Sequence, residues 1–277
     1  MKKTSPALRY HGSKWRSAPR IINFFPPHLT YVEPFGGSAA ILLQKVPSAF
    51  EVLKDLNGDV VNFFKVLRDR RQQLIEAIEL TPYSRQELKL AFEVTTDPLE
   101  CARRLYIRSW QGWGAGALKA KAGWRFMHTQ SRCTSVTDDW NRTEHLWGIA
   151  ERLRHVQIEC TPATQVIKRM DTPETLFFLD PPYLLQTRKQ KQADSHYLHE
   201  MDESGHRELA IQLQKIQGMA LVCGYPSALY DQLYEGWKQI TWQAQTNGGG
   251  TATECLWLSP KLSAALSHMQ LNLELTS

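Results

Sequence analysis

The 277-residue chain lacks the features that mark several common classes of protein. It has no run of about 18 apolar residues, so no membrane span is predicted. The N-terminal stretch MKKTSPALRYHGSK has no apolar run behind its lysines, so we expect no secretory signal. Its five cysteines are scattered and form no CxxC pair, which favours free thiols over disulfides or a zinc site. These absences predict a cytoplasmic protein.

Common catalytic and metal-binding patterns are also missing. The chain has no complete GxGxxG turn and no Ser, His and Asp around a recognisable nucleophile elbow. His196, His199 and His206 lie near acidic residues, but their spacing fits no standard ligand pattern. We therefore expect no metal, and we interpret 186–200 (QTRKQKQADSHYLHE) as a polar loop over a site.

Acidic residues are absent from 101–137, although the net charge of the whole chain is only +5. Aromatic side chains, Trp124 among them, alternate there with basic ones: Arg103, Arg104, Arg108, Lys119, Lys121, Arg125 and Arg132. One-sided positive charge with interleaved rings is typical of nucleic-acid binding, because cations pair with phosphates and rings stack on bases. The alternative is a solvated basic face whose tryptophans pack in the core, and we favour nucleic acid.

Strand-like and helix-like patterns alternate along much of the chain. Apolar strand patterns are predicted at 30–34, 50–53, 155–159, 177–180 and 219–223. Helical patterns follow several of them, at 39–45, 59–70 (capped by Asn57), 163–170 and 203–216, and a last strand pair, 239–245 and 254–258, flanks a Gly-rich turn. This alternation predicts an α/β sheet of Rossmann-like type.

The alternation is interrupted between 71 and 147, where the patterns are helical and then Gly- and Trp-rich. We therefore divide the chain into a core, 1–70 with 148–277, and an inserted, mostly helical domain, 71–147.

One stretch, FFLDPPYLL at 177–185, places an acid, two prolines and a phenol at the end of a buried strand. Pro-Pro ends strand pairing, so the bland interpretation is a terminator. The functional interpretation is a site, because ligands of open α/β sheets bind at the carboxyl ends of strands. On this stretch alone the two interpretations are evenly matched.

Three further motifs would lie near that end of the sheet. Glu33 ends a strand in EPFGGS, whose glycines permit close approach of a ligand. Asp55 ends the next strand and suits a ribose diol. YHGSK at 10–14 places a cation beside an aromatic ring. Each motif is weak alone.

The order of these motifs is more specific. YHGSK, EPFGGS, Asp-x-Asn, a basic insert and DPPY together resemble the D12-class, or Dam-like, DNA adenine-N6 methyltransferase family. The resemblance extends over nearly the whole chain and includes Gly224-Tyr225 and ECLW at 254–257. It implies a Rossmann-like, S-adenosylmethionine-dependent methyltransferase core with an inserted DNA-recognition domain. The implied reaction is site-specific methylation of N6 of an adenine flipped out of double-stranded DNA.

The resemblance also implies roles for individual residues. Asp180 and the Pro181 carbonyl would accept hydrogen bonds from the target amine. Pro182 would keep the turn rigid, and Tyr183 would stack on the adenine. The implied cofactor residues are Tyr10, Gly12, Lys14 (near the methionine end), Glu33, Pro34, Phe35, Gly37, Asp55 and Asp180. The implied DNA-binding residues are Arg108, Lys119, Lys121, Trp124, Arg125 and Arg132.

The chain departs from the family pattern at Pro162, about where an acid that contacts the cofactor adenine is expected. Rival interpretations therefore stay open: a DNA-binding regulator without turnover, or the same chemistry on cytosine-N4, RNA or a protein glutamine. The recognition sequence and a restriction endonuclease partner stay open as well.

Overall fold

The computed structural model describes residues 5–114, 123–126, 135–188, 197–245 and 250–275. Within them, one sheet contains β1 Thr30–Glu33, β2 Phe50–Lys54, β3 Val156–Glu159, β4 Thr175–Leu179, β5 Met219–Gly224, β6 Lys238–Gln245 and β7 Thr251–Leu258. The predicted α/β fold is confirmed, and β7 begins three residues before the predicted strand.

The strands lie in the order β3-β2-β1-β4-β5-β7-β6. β1 to β5 are parallel, whereas β7 runs antiparallel to β5 and to β6. Two apolar clusters cover the two faces, with Tyr31 and Phe178 in one and Val32 and Phe177 in the other. Successive strand residues point to opposite faces, so β1 and β4 are buried on both sides. This is a Rossmann-like architecture.

The helices of the described residues are α1 Ala18–Ile22, α2 Gly58–Asp69, α3 Arg71–Glu79, α4 Arg85–Leu90, α5 Pro98–Gln111, α6 Val136–Trp140, α7 His145–Arg152, α8 Ala163–Met170, α9 Glu203–Leu213, α10 Ala228–Leu233 and α11 Pro260–Leu275. None of them, within the described ranges, is long and apolar enough to cross a membrane. The predicted cap is present, because the Asn57 side chain accepts a hydrogen bond from the Asp59 N–H at 3.0 Å.

The helix predicted at 39–45 is wrong. The segment forms successive turns, and Ala39 has a φ of 55°, which a right-handed helix does not permit. The Leu42 N–H donates to the buried Glu33 carboxylate at 3.0 Å, so the chain wraps around the end of β1. Apolar spacing alone did not indicate this buried acceptor.

The described part of 71–147 is mostly helical, and it packs on the core. Tyr106 of α5 stacks on Phe63 of α2, with ring centroids 6.3 Å apart. The Trp110 indole N–H donates to the Ala7 carbonyl at 3.1 Å, deep in the protein. The apolar side chains of α3 and α5 belong to the cluster that also covers one face of the sheet. The boundaries of the predicted insert stay a prediction.

Candidate active site

A cavity opens at the carboxyl ends of β1 and β4. These strands are neighbours in the sheet, and the chain leads away from them in opposite directions, to β2 from β1 and to β5 from β4. Such a reversal leaves a crevice between the outgoing connections, which is where open α/β sheets bind ligands.

Glu33 ends β1 and lines the cavity, although it is only 2% exposed. Its Oε2 accepts hydrogen bonds from the Tyr31 hydroxyl and the Leu42 N–H, both at 3.0 Å. Burial raises the pKa of Glu33 to about 8, because desolvation outweighs these two bonds to the charged form. At neutral pH the carboxyl is therefore mostly protonated, and a cation in the cavity would favour loss of the proton.

Asp180 follows β4 and forms an ion pair with Lys14. The Lys14 Nζ lies 2.9 Å from Asp180 Oδ1 and 2.9 Å from the Gly12 carbonyl oxygen, with the lysine side chain 6% exposed. Burial raises the pKa of Asp180, and the Lys14 ammonium offsets part of that rise. Burial also opposes the charge on Lys14, but nearby carboxylates outweigh it and raise the pKa of the ammonium. YHGSK thus meets DPPY through buried charges.

A second carboxylate reaches this pair from β7. Glu254 Oε2 accepts a hydrogen bond from the Tyr183 hydroxyl at 2.8 Å and lies 3.9 Å from Lys14 Nζ. The Lys14 ammonium lies 4.8 Å from the centroid of the Tyr183 ring, and the Tyr225 ring packs against Tyr183 in a T-shaped arrangement with centroids 4.6 Å apart. Tyr183, predicted to stack on a base, is thus held by a lysine, an acid and another tyrosine.

The turn after β1 is fixed against the end of β2. Gly37 has a φ of 49°, and a Cβ on it would lie 3.1 Å from the Tyr10 ring. Its N–H donates to Asp55 Oδ2 at 2.8 Å, while the Asn57 N–H donates to Asp55 Oδ1 at 2.8 Å. Two backbone donors hold the carboxylate at the rim, and its remaining lone pairs are available to a hydroxyl ligand.

The polar loop predicted over a site contributes one wall of the cavity, at 197–201. The Tyr197 hydroxyl donates to the His11 carbonyl at 3.4 Å, and a Cβ on Gly12 would lie only 2.5 Å from that hydroxyl. Arg188 pairs with Glu200 at 2.7 Å and anchors the loop. Glycine suits position 12 because its φ of 70° is a conformation that other residues rarely adopt, and because the Tyr197 hydroxyl lies close to the backbone there.

The cavity brings together all the residues predicted to bind the cofactor: Tyr10, Gly12, Lys14, Glu33, Pro34, Phe35, Gly37, Asp55 and Asp180. Pro182 also lines it, whereas Pro181 and Tyr183 lie outside its lining. Pro162, where the chain departs from the family pattern, lies at the start of α8 and outside the lining of the cavity. Near β2 the cavity is lined by Leu56 and Asn57.

Sequence reasoning missed three residues of this site. Glu254 was noted only as part of ECLW, and Tyr197 only as part of a polar loop. Lys54, at the end of β2, lines the cavity although it is 1% exposed, and burial lowers the pKa of its ammonium. The usable signal was a charged residue in the last position of a buried strand.

No group of three potential metal ligands occurs among the described residues. His196 lies outside them. His206 is buried in α9, and its Nδ1 lies 3.0 Å from the Tyr230 hydroxyl. Cys101, Cys160, Cys223 and Cys255 are free thiols.

The basic segment has acidic partners elsewhere in the sequence. Arg108 pairs with Asp59 of α2 at 2.8 Å, and Arg125 pairs with Asp139 of α6 at 3.1 Å. The side chains of Arg103 and Arg104 pair with Glu100, one turn earlier on α5. Lys119, Lys121 and Arg132 lie outside the described residues.

Two aromatic rings of that segment are exposed. Trp113 is 67% exposed and Phe126 is 52% exposed. Short pairing between Gly112 and Trp124 holds the two stretches side by side, with the Arg125 N–H donating to the Gln111 carbonyl at 2.8 Å. Trp124 is half-buried and packs on Tyr83. The exposed rings provide a surface on which bases could stack.

Residues 10–95 match the D12 class N6 adenine-specific DNA methyltransferase family. The resemblance read from the motifs is thereby confirmed over this stretch, which contains YHGSK, EPFGGS and Asp55. No curated protein matches the chain. Among solved structures, the chain is similar to a candidate rRNA methylase from Clostridium thermocellum, at 9% identity over 88% of this chain and 96% of that one, with a TM-score of 0.38. A structural similarity this low does not indicate the reaction or the substrate of this chain.

Proposed function

We propose that this chain is a site-specific DNA methyltransferase that transfers a methyl group from S-adenosylmethionine to N6 of an adenine flipped out of double-stranded DNA. The observation that carries the proposal is the place of Asp180. It directly follows β4 and lines the cavity that YHGSK and EPFGGS also line, and both of these motifs lie in the stretch that matches the family.

The residues that line the cavity suit S-adenosylmethionine. Gly37 carries no side chain at the turn beside Tyr10, and the Asp55 carboxylate is held where it suits the two hydroxyls of a ribose. Glu33 lines the cavity, and its carboxyl would ionise beside a positively charged ligand, whereas the charge of Asp180 is compensated by Lys14. When bound, the cofactor supplies a methyl group on a positively charged sulfur.

Asp180 would prepare the amine for attack. The exocyclic nitrogen of adenine is a poor nucleophile, because its lone pair is delocalised into the ring. A carboxylate and the Pro181 carbonyl, each accepting one of its hydrogens, would favour a pyramidal nitrogen with a directed lone pair. Pro182 lines the cavity and would limit movement of the turn. Tyr183 would stack on the base once its lysine neighbour shifts.

DNA is the substrate that the motif order and the family match favour. The adenine must leave the duplex, since its amine is inaccessible to a cavity in the protein. Trp113 and Phe126 would supply aromatic contacts, and the predicted residues Arg108, Lys119, Lys121, Trp124, Arg125 and Arg132 would supply the rest, chiefly to phosphates. Such a protein would work in the cytoplasm.

The test is methylation by the purified protein, with labelled S-adenosylmethionine and duplex DNA, single-stranded DNA or RNA as acceptor. The products are digested to nucleosides and identified by mass spectrometry. We expect N6-methyladenine from duplex DNA with the wild type. We expect none with Asp180→Ala, in a preparation whose circular dichroism spectrum is that of the native protein. N4-methylcytosine or modified RNA would replace the proposed substrate, and no modified base from a protein that binds DNA would favour a non-catalytic regulator.

A further inference from the structure

We infer that Glu254 is a positioning residue that takes over the Lys14 ammonium when Asp180 engages the target amine. The identity of that amine rests on the proposed function. The exchange of Lys14 between two carboxylates does not, and it can be tested in the protein alone.

The geometry places one ammonium between two carboxylates. Lys14 Nζ lies 2.9 Å from Asp180 Oδ1 and 3.9 Å from Glu254 Oε2. The Glu254 side chain is 12% exposed, and the Asp180 side chain is 17% exposed. A displacement of about 1 Å would bring the ammonium within hydrogen-bond distance of Glu254. The two acids reach it from different strands, β4 and β7.

Burial makes a second partner necessary. A lysine as enclosed as Lys14 is strongly destabilised when it releases a carboxylate, unless another anion compensates its charge. Water is a poor replacement at this depth, and the Gly12 carbonyl carries no charge. Glu254 supplies the missing anion, so Lys14 can leave Asp180 while its own charge stays compensated.

Tyr183 links this exchange to the substrate. Its hydroxyl donates to the same oxygen, Glu254 Oε2, that faces Lys14, and its ring lies 4.8 Å from the ammonium. A shift of Lys14 toward Glu254 therefore rearranges the contacts around the ring that would face the adenine. It also leaves Asp180 a stronger acceptor, because an anion shared with an ammonium donates less charge to a second partner.

The rival explanation is that Glu254 only orients Tyr183. Glu254→Gln separates the two, because an amide oxygen still accepts the phenol hydrogen bond but carries no charge for Lys14. Glu254→Ala removes both functions, and Tyr183→Phe removes only the hydrogen bond.

The first experiment needs no activity. Crystal structures of the wild type and Asp180→Asn are compared, since the substitution removes the charge that holds Lys14. We expect Lys14 Nζ to move within about 3.2 Å of the Glu254 carboxylate. A lysine that stays on the side chain at position 180, with Glu254 as distant as before, would overturn the inference.

A solution measurement covers the case in which the variant does not crystallise. A buried, paired lysine ammonium gives a slowly exchanging signal in 15N NMR, which Lys14→Met assigns. We expect the signal to persist in Asp180→Asn and to disappear in the double variant Asp180→Asn/Glu254→Gln. Its disappearance in Asp180→Asn alone, in a protein with native circular dichroism, would mean that Glu254 does not hold Lys14.

The second experiment is single-turnover methyl transfer. We expect Glu254→Gln to lower the rate about 10- to 100-fold, with the affinity for a cofactor analogue changed less than threefold. In a Lys14→Met background the same substitution should have little further effect. Glu235→Gln removes a carboxylate at an exposed position and is the matched control.

Wild-type rates for Glu254→Gln, with equal losses in Glu254→Ala and Tyr183→Phe, would leave Glu254 only the role of orienting Tyr183. If the wild type methylates no nucleic acid, the proposed function fails. The crystal and NMR measurements then still decide whether Lys14 is exchanged.

Discussion

The cavity and the basic segment 101–137 both collect charged residues, but they differ in where the opposite charges come from. At the cavity, Lys14 and Asp180 belong to motifs that were recognised separately, and the sheet brings them within 2.9 Å. In the basic segment, Arg108 and Arg125 meet Asp59 and Asp139, two acids that belong to no motif.

The difference shows what a sequence pattern can predict about charge. The end of a parallel strand lies at a known edge of the sheet, so acids at strand ends can be located together from the sequence. A count of basic residues does not indicate how many are compensated, because their acidic partners, such as Asp59, Glu100 and Asp139, lie outside the segment or on other helices. The cavity should therefore be sensitive to single substitutions, and the basic segment much less so.

The largest effect is expected at Asp180. Asp180→Asn keeps the shape of the side chain but removes its charge, so we expect methyl transfer to fall on the order of 10³-fold. The affinity for a cofactor analogue should change less than threefold in calorimetry. Asp231→Asn, at an exposed position, is the control. Equal loss of analogue binding would place Asp180 in cofactor binding rather than in activation of the amine.

A smaller effect is expected at the exposed aromatic surface. Trp113→Ala should weaken duplex binding about tenfold, because stacking on a base contributes on the order of 1–3 kcal/mol. Trp147→Ala, which removes an exposed tryptophan of α7, is the matched control and should leave the affinity unchanged. Fluorescence anisotropy at fixed salt measures both. Equal weakening by the two substitutions would show that the surface around Trp113 is not the DNA contact.

The pH dependence of cofactor binding should follow Glu33. Because burial raises the pKa of Glu33 to about 8, the free protein at pH 7 carries this proton, and binding a cation releases it. Affinity should therefore rise about tenfold between roughly pH 7 and 9 and then level off. Calorimetry in buffers of different ionisation enthalpy measures the released proton.

Glu33→Gln serves as the control for this titration, because ionisation of the cofactor itself contributes equally in both proteins. We expect the cofactor affinity of the variant to lack the rise with pH that the Glu33 proton causes in the wild type. The same rise with pH in both proteins would show that Glu33 does not titrate on binding.

The smallest effect is expected at Arg108. Its guanidinium must leave Asp59 to reach a phosphate, so the net gain is small, and Arg108→Ala should weaken duplex binding only two- to threefold, roughly. Asp59→Asn would release the arginine and should strengthen binding by a similar factor. A tenfold loss of duplex affinity in Arg108→Ala, with no effect of Asp59→Asn, would show that the ion pair with Asp59 does not limit the contribution of Arg108.

The sequence predicted the fold well where strands were buried on both faces. Phe177 and Phe178 belong to opposite clusters, and such a run is typical of a central parallel strand. The prediction was wrong at 39–45, because the buried Glu33 takes the Leu42 N–H and Ala39 adopts a left-handed conformation. That arrangement depends on contacts that apolar periodicity does not contain.

Most of the predicted cofactor residues converge on the cavity because they lie at the ends of β1, β2 and β4. Tyr10, Gly12 and Lys14 instead precede α1, and the ion pair of Lys14 with Asp180 joins them to the site. Glu254 could not be assigned in the same way. Its strand, β7, runs antiparallel to β5, so the beginning of β7, not its end, lies beside the carboxyl end of β5. The pairing of Gly224 with Cys255 then places Glu254 near Tyr183. The position of a residue on an antiparallel strand depends on the pairing register, which the sequence around ECLW does not specify.

The most direct test is long-read sequencing of plasmid DNA from a host without adenine methylation, with the wild type or Asp180→Ala expressed to equal soluble amounts. The account predicts modified adenine at a defined sequence with the wild type and none with the variant. Unmodified DNA from both, with soluble wild-type protein that binds the duplex, would contradict it.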